Sequence, residues 1–366
     1  MTFFAKLCCG AGVVLMLITG GTPAWAEHSD DPLLNPSMLS PLSEHLMALR
    51  VVKAGTRLIS VGERGTILLS DDQGKSWRQV IAPVRVTLTE AYFPSPENGW
   101  VVGNGGVILV THDGGETWTK QLDGWQAAAI EKSEAEADLA KNPTDPKAQH
   151  RLQDAVRLVK DGPDKPLFDV YFFDDQHGFV IGAYGLAFRT ADGGKSWHSF
   201  MNQTDDPDEY NLYAINAAPD GFYIAGELGG VYKSTDGAMS FHRVANPGKG
   251  TYFGVVSSPQ GAVVVYGLRG AVYRTDDGGI NWDHIVMPKA TLTGGTRLSD
   301  GSLLLVDETG GIWRSSDGGK TFQSIPHPES ASLSGVVEVV PGLLVLSTSH
   351  GNIRFKLPSN AQETSK

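Results

Sequence analysis

Thr111-His112-Asp113-Gly114-Gly115-Glu116-Thr117-Trp118 is the stretch that decides how this chain is read. Its frame is hydroxyl, any, Asp, any, Gly, any, hydroxyl, aromatic. The same frame returns at Ser70 to Trp77, Thr190 to Trp197, Ser234 to Phe241, Thr275 to Trp282 and Ser315 to Phe322. Each residue type has a local job. An Asp carboxylate folds back onto nearby backbone N–H groups in a turn. The Gly pair supplies positive φ at little steric cost. The two hydroxyls tie the ends of the turn, and the aromatic ring enters whatever the flanking strands cover. The run before it, Gly106 to Val110, is β-branched and strand-forming. The unit therefore reads as strand, tight turn, strand. Two copies break the frame: Ala238 replaces a Gly, and Asn281 replaces the second hydroxyl, so these turns are expected to be the weaker ones.

The closing aromatics are separated by 41, 79, 44, 41 and 40 residues. A period near 40 with several short strands per unit is the pattern of a β-propeller. Each unit holds an apolar first strand, a second strand ending in Gly, a Gly-bounded turn, a third strand, the octet and a fourth strand. The Gly-bounded turns are Gly62 to Gly65, Gly103 to Gly106, Gly182 to Gly185, Gly226 to Gly229 and Gly267 to Gly270, with Asp307 to Gly310 as a sixth. A seventh unit, Ser332 to Leu357, has three strand-like runs and no octet. The expected fold is all-β: a seven-bladed propeller of four-stranded antiparallel blades over residues 44–357. The polar, proline-broken lead-in at 27–43 is expected to donate the missing fourth strand, since an open ring leaves an exposed edge. The 79-residue step contains an insertion at 123–162 that reads as an α-helical hairpin. Trp125 to Lys141 is rich in helix formers, Asp145 caps a second helix with Pro146 at its first position, and Leu152, Val156 and Val159 form its apolar face.

Residues 1–26 read as an export signal. Lys6 is followed by the apolar run Gly10 to Ile18 and by Ala24-Trp25-Ala26, a cleavage site. The run is short for a membrane span, so a cleaved, periplasmic protein without membrane insertion is expected, with a tail at 358–366. Both cysteines, Cys8 and Cys9, lie in this leader, which leaves no disulfide, thiolate or cysteine metal site for the mature chain. The whole chain carries 30 basic and 41 acidic residues, a net charge of −11, and loss of Lys6 makes it −12. That balance argues against nucleic-acid and anionic-membrane binding.

The octets resemble Asp-boxes, also called bacterial neuraminidase repeats. The longer unit Phe172-Phe173-Asp174-Asp175-Gln176-His177-Gly178-Phe179-Val180-Ile181-Gly182 runs on into Gly185 and the octet at Thr190, and Phe93 to Gly103 repeats it with Trp100. This longer pattern is similar to the photosystem II stability and assembly factor family of exported seven-bladed propellers. The resemblance implies a non-enzymatic role: a monomeric accessory factor that binds a membrane-protein complex on the exported side. In a non-photosynthetic host it implies a transporter of the resistance-nodulation-division type as the partner.

The competing class is a carbohydrate-binding or sialidase-like glycoside-hydrolase propeller. It needs two facing carboxylates, and Glu90 and Asp169 occupy the same place in the first strands of units two and three. A structural hydrogen bond is the simpler role for Asp169, and no Phe-Arg-Ile-Pro-like segment marks a sialidase arginine. The Asp-box residues Asp72, Asp113, Asp192, Asp236, Asp277 and Asp317 are expected to stabilise turns rather than bind metal. No zinc spacing appears among the histidines. No catalytic residue, metal or cofactor is expected. Binding is expected on varied loops of a rigid ring. The candidate contacts are Arg64, Asn104, Tyr184, Leu228 and Arg269 in the Gly-bounded turns, with Trp125 and an acidic hairpin (Glu131, Glu134, Glu136, Asp138) on the same face.

Overall fold

The computed structural model describes residues 30–327 and 331–358. The leader, the first residues of the lead-in and the tail beyond Pro358 lie outside the described residues. The first blade shows the plan. Strands Ala48–Ala54, Arg57–Gly62, Ile67–Ser70 and Arg78–Val80 lie side by side, each antiparallel to the next. Five more sheets repeat this four-strand order, and the seventh has three strands, Leu333–Val340, Leu343–Thr348 and Gly351–Lys356. The first strands neighbour one another around an axis, and Leu333–Val340 returns to Ala48–Ala54. The chain is a seven-bladed β-propeller.

Packing follows from strand alternation. Second and third strands are buried on both faces, as in Leu58, Ile59, Ile67 and Leu69. Among the described residues the buried apolar side chains form seven clusters, each astride two neighbouring blades. The cluster joining blades 7 and 1 is the smallest, with Val51, Leu58, Val339 and Val345 at its centre. A polar clasp supplements it. Ser334 Oγ donates to Ala48 O (2.6 Å), Lys53 Nζ to Val339 O (3.1 Å), and Asn352 Nδ2 to Ser60 Oγ (2.8 Å).

Among the described residues the lead-in adds no strand to blade 7. From Asp31 onward it runs beside the outer strand of blade 1 and the link to blade 2. Ser37 N donates to Ala82 O and Ser37 Oγ accepts from Ala82 N, both at 2.9 Å, and Arg85 N donates to Pro32 O. Leu33 is buried in the blade 1–2 cluster against Gly105, where a Cβ would stand 2.8 Å from the leucine methyl. The three-residue outer strand of blade 1 is itself an edge that needs cover, and the one large apolar side chain placed there decides where the segment goes.

The octets work as hydrogen-bonded turns. In the second copy Asp113 Oδ1 accepts from Thr111 Oγ1 (2.7 Å) and Thr117 N (2.9 Å), while Oδ2 accepts from Thr117 Oγ1 (2.6 Å). Trp118 Nε1 donates back to Gly115 O. Asn281 performs the hydroxyl's job, donating through Nδ2 to Asp277 Oδ2 at 2.8 Å, so that copy keeps its network. The octet holds two successive residues at positive φ, and two positions are not glycine: Gln73 (φ 67°) and Ala238 (φ 63°). Ala238 is buried, so its methyl is part of the core. Gln73 is exposed and gains nothing from its side chain. Gln73→Gly is therefore expected to raise stability by about 0.5–1 kcal/mol in a urea melt, the left-handed penalty less the glycine entropy cost; a loss of stability would contradict this account of the turn.

The octet carboxylates also set an acid limit. Around Asp192, burial pulls the carboxyl upward, but Ser196 N–H, Ser196 Oγ and Thr190 Oγ1 outweigh it and hold the group at about 2. Asp72 and Asp236 are held low by the same kind of donors, Ser76 for the first and Ser234 with Ser240 for the second. A carboxyl lowered on folding contributes stability that is full above its unfolded pKa and lost as pH falls through the folded one. Melting temperature is thus expected to drop in acid from about pH 4 toward pH 2. An Asp192→Asn variant should show a shallower drop; an identical slope would remove Asp192 from the explanation.

The insertion is a hairpin of α1 (Gly124–Lys141) and α2 (Pro146–Asp161). Asp123 caps α1 in a capping box with Gln126, and Asp145 accepts from Lys147 N at the start of α2. The buried stripe of α2 differs from the expected one. Val156 and Val159 are exposed, whereas Ala148 and Ala155 are buried and Leu158 packs on the blade 2–3 cluster. The stripe passes through Arg151, whose guanidinium meets Glu131 at 2.8 and 3.1 Å and Asp138 at 3.4 Å. Hydrophobic counting skips that stripe because its centre is an ion pair. The hairpin is consequently not a free acidic surface: Glu131 is buried on Arg151, Glu134 faces His198 and Ser199 N, and Glu136 pairs with Lys132.

Candidate functional site

Connection order separates the two ends of the ring. First-to-second links and octets lie at one end, and the Gly-bounded turns lie at the other with the links between blades. The hairpin belongs to the second end: α1 touches the Asn104–Gly106 turn, and a Cβ on Gly106 would stand 2.8 Å from Gly124 Cα.

Each Gly-bounded turn has one shape. The leading glycine lets the backbone entering the same blade pass close by; a Cβ on Gly182 would stand 2.3 Å from Pro166 O. The next N–H then donates to that carbonyl, as Ala183 N does at 3.0 Å. The middle residue is left-handed: Arg64 (φ 55°), Tyr184 (φ 56°), Leu228 (φ 48°) and Arg269 (φ 55°). This backbone pushes the side chain outward, and all four are exposed. Asn104 is exposed but is not their equivalent. In its turn Gly105 (φ 71°) takes the left-handed place and Asn104 stands one position earlier. Blade 6 replaces the leading glycine by buried Asp307, whose carboxylate accepts from Thr309 N, Gly311 N and Trp313 Nε1. Trp125 is half-exposed over Gly162 at the hairpin base. Tyr184 carries Lys165 Nζ 5.2 Å from its ring centroid.

A second feature of this end escapes a reading of the sequence. Every first strand begins with a register shift that leaves one residue without a partner: Leu49, Thr89, Phe168, Tyr213, Phe253, Thr293 or Ser334. Such bulges turn a side chain away from the ladder. The hydroxyl members stitch blades together: Thr89 Oγ1 donates to Leu167 O and Thr293 Oγ1 to Leu333 O, both at 2.7 Å. Blades 3, 4 and 5 carry aromatic rings there instead. Phe168 and Tyr213 lie 4.9 Å apart, Tyr213 and Phe253 5.0 Å apart, and all three are half-buried. They form an apolar arc at the channel mouth. The signal was present as an aromatic after the first apolar residue of three successive first strands, but only the bulge gives it meaning.

One residue further along lie Arg50, Glu90 and Asp169, side by side in blades 1, 2 and 3. Arg50 Nε donates to Glu90 Oε2 at 2.5 Å, and its Nη1 reaches Thr293 O (3.1 Å) and Ser334 O across the ring closure. Glu90 Oε1 accepts from Ala91 N at 3.0 Å. Asp169 accepts from Val170 N and Ile215 N, both at 2.7 Å. Burial, then the charge of Glu90, raise the Asp169 carboxyl well above its ordinary value. Glu90 and Asp169, the two carboxylates a hydrolase would need, are thus tied to an arginine and to backbone donors. Among the described residues no group of three or more His, Cys, Asp or Glu is placed to hold a metal, and no helix is long and apolar enough to cross a membrane.

Comparison with known proteins adds a family. The profile described as "Photosynthesis system II assembly factor YCF48" matches residues 69–136 and 149–356. A photosystem II assembly lipoprotein Ycf48 from Synechococcus sp. (strain CC9902) is 31% identical over 124 residues, 33% of this chain and 37% of that one. The chloroplastic photosystem II stability/assembly factor HCF136 of Oryza sativa subsp. japonica is 24% identical over 152 residues, 39% of this chain and 36% of that one. These matches span little more than a third of either relative. Among solved structures, one described as "YCF48 bound to D1 peptide" superposes with a TM-score of 0.63 at 15% identity, covering 89% of this chain and 100% of that one. The Niastella koreensis GH74 enzyme superposes at 0.60 with 12% identity, covering 86% and 52%. Likenesses this distant speak to fold alone. The profile match takes in most of the ring and its octets, and on that ground the chain belongs to the photosystem II assembly factor YCF48 family.

Proposed function

We propose that this chain is a non-enzymatic, exported accessory factor that holds an exposed segment of a membrane-protein complex on the Gly-turn face. The observation that carries the reading is the arc Phe168, Tyr213 and Phe253, half-buried at the channel mouth, at the same end of the ring as the exposed Arg64, Tyr184, Leu228 and Arg269. Aromatic anchors inside a polar rim are the usual anatomy of a binding hot spot. A family member bound to a D1 peptide supports a peptide segment as the bound form. In a host without a photosystem, a resistance-nodulation-division-type transporter is the partner to test first. The mature chain acts as a monomer, without metal or cofactor.

The second reading, a glycoside hydrolase, rests on Glu90 and Asp169 in the channel and on the likeness of fold to GH74 enzymes. A screen of chromogenic glycosides and plant and sialylated glycans separates the two. No turnover is expected; hydrolysis lost in Glu90→Gln or Asp169→Asn would replace the accessory reading with the enzymatic one.

The hairpin gives a further test. Replacing residues 124–162 by a short Gly-Ser linker is expected to leave a cooperative thermal transition and to abolish capture of the partner in a crosslinking pull-down from membranes. Capture that survives this replacement would take the hairpin out of the docking surface.

A further inference from the structure

The ring axis holds a cavity of about 230 Å³ between the first strands. Its composition is lopsided. The layer that contributes Arg50, Glu90 and Asp169 from blades 1 to 3 contributes Ala214, Gly254, Gly294 and Gly335 from blades 4 to 7. The small residues hollow out one side. Gly335 makes room for the Arg50 stem, whose Cδ lies 3.3 Å from where a Cβ would stand. Gly254 and Gly295 make room for Tyr266, a second-strand residue of blade 5. A Cβ on Gly254 would stand 2.1 Å from the Tyr266 hydroxyl oxygen, and one on Gly295 would stand 3.1 Å from Cζ. Tyr266 passes through this window into the cavity wall beside the charged residues. It is 4% exposed, and its hydroxyl has no hydrogen-bond partner among the described residues. Because Tyr266 lines the cavity, its hydroxyl can serve a molecule held there.

The chemistry of that ligand follows from what is already used. Arg50 is engaged by Glu90 and two carbonyls, so its charge is answered within the wall. Asp169 is the carboxylate in excess, and each of its oxygens keeps a lone pair after accepting one backbone N–H. Asn216 spends its Nδ2 on Val255 O and leaves its Oδ1 as an acceptor. The wall thus offers acceptors from Asp169, Asn216 and Tyr266. Tyr92, Tyr171 and Phe253 line the rest, aromatic rings of the kind that attract a cation. We propose that the propeller axis is a binding site for a small molecule bearing a protonated primary amine, whose three N–H donors meet Asp169, Asn216 Oδ1 and the Tyr266 hydroxyl. Burial, then the charge of Glu90, raise the Asp169 carboxyl, and a cation held against it favours its charged form.

The test uses the mature chain, calorimetric titration and n-butylammonium chloride as the probe, with potassium chloride and sodium butyrate as controls. Saturable binding of butylammonium alone is expected. Asp169→Asn is expected to weaken binding more than tenfold. Tyr266→Phe keeps every charge and is expected to weaken it severalfold. Absence of saturable binding in the unmodified protein overturns the proposal. Equal affinity in both variants, or potassium binding as tightly as the amine, overturns it as well.

Discussion

Arg50→Met is expected to lower the stability of the ring by about 3 kcal/mol in a urea melt. Removing one partner of a desolvated ion pair leaves the other charge unanswered, and here that charge is Glu90, whose side chain is 14% exposed. The figure is taken at the low end because the pair borders the channel, where Arg50 retains 25% exposure. The same substitution also strips two carbonyls in blades 6 and 7 of their guanidinium donor. Those bonds cross the join where the apolar cluster is smallest and the last blade has three strands. Arg50→Met combined with Glu90→Gln is expected to recover part of the loss, because the stranded charge is gone while the two carbonyls remain without their donor. A cost below about 1 kcal/mol for the single variant would show that the clasp contributes little and that the apolar contacts alone close the ring.

The second large effect concerns binding. Phe168→Ser, Tyr213→Ser and Phe253→Ser together are expected to reduce capture of the client by at least about 100-fold, since buried aromatic anchors commonly contribute 2 kcal/mol or more each. The three rings touch in sequence, so their contributions are coupled and the combined variant is more informative than three single ones. Their half-burial means that some stability is lost too, and a melt of the same sample separates unfolding from loss of the surface.

The parts of this account differ in how far a sequence reaches them. The octets were legible because their physics is local: an Asp, two hydroxyls and a turn lie within eight residues, and the bonds run between them. The spacing of the octets then counts blades. The Gly-bounded turns were equally plain, yet the one-residue offset of Asn104 was not, because a run of Gly103-Asn104-Gly105-Gly106 has more than one residue able to be left-handed. The destination of the lead-in depends on a socket for Leu33 built by residues of two blades. The buried face of α2 was hidden because Arg151, counted as a surface residue, is held inside by Glu131. The aromatic arc needed a bulge repeated in every first strand, and a bulge leaves no mark in a pattern of alternation. Glu90 and Asp169 were visible as equivalent positions; that they share a layer with Arg50, beside a window of glycines filled by Tyr266, is a fact of ring closure.

The central claim is that the client docks at the channel mouth on the Gly-turn face. Its most direct measurement is crosslinking capture from membranes with three proteins side by side: the unmodified chain, the Phe168, Tyr213 and Phe253 triple serine variant, and a variant with Met239→Ser and Ile280→Ser. The last pair is exposed on the octet face and serves as the apolar control at the opposite end of the ring. The account predicts that the octet-face variant captures the client as the unmodified chain does, while the triple variant, still folded by its melt, captures almost none. Capture retained by the folded triple variant and lost from the octet-face variant would contradict it.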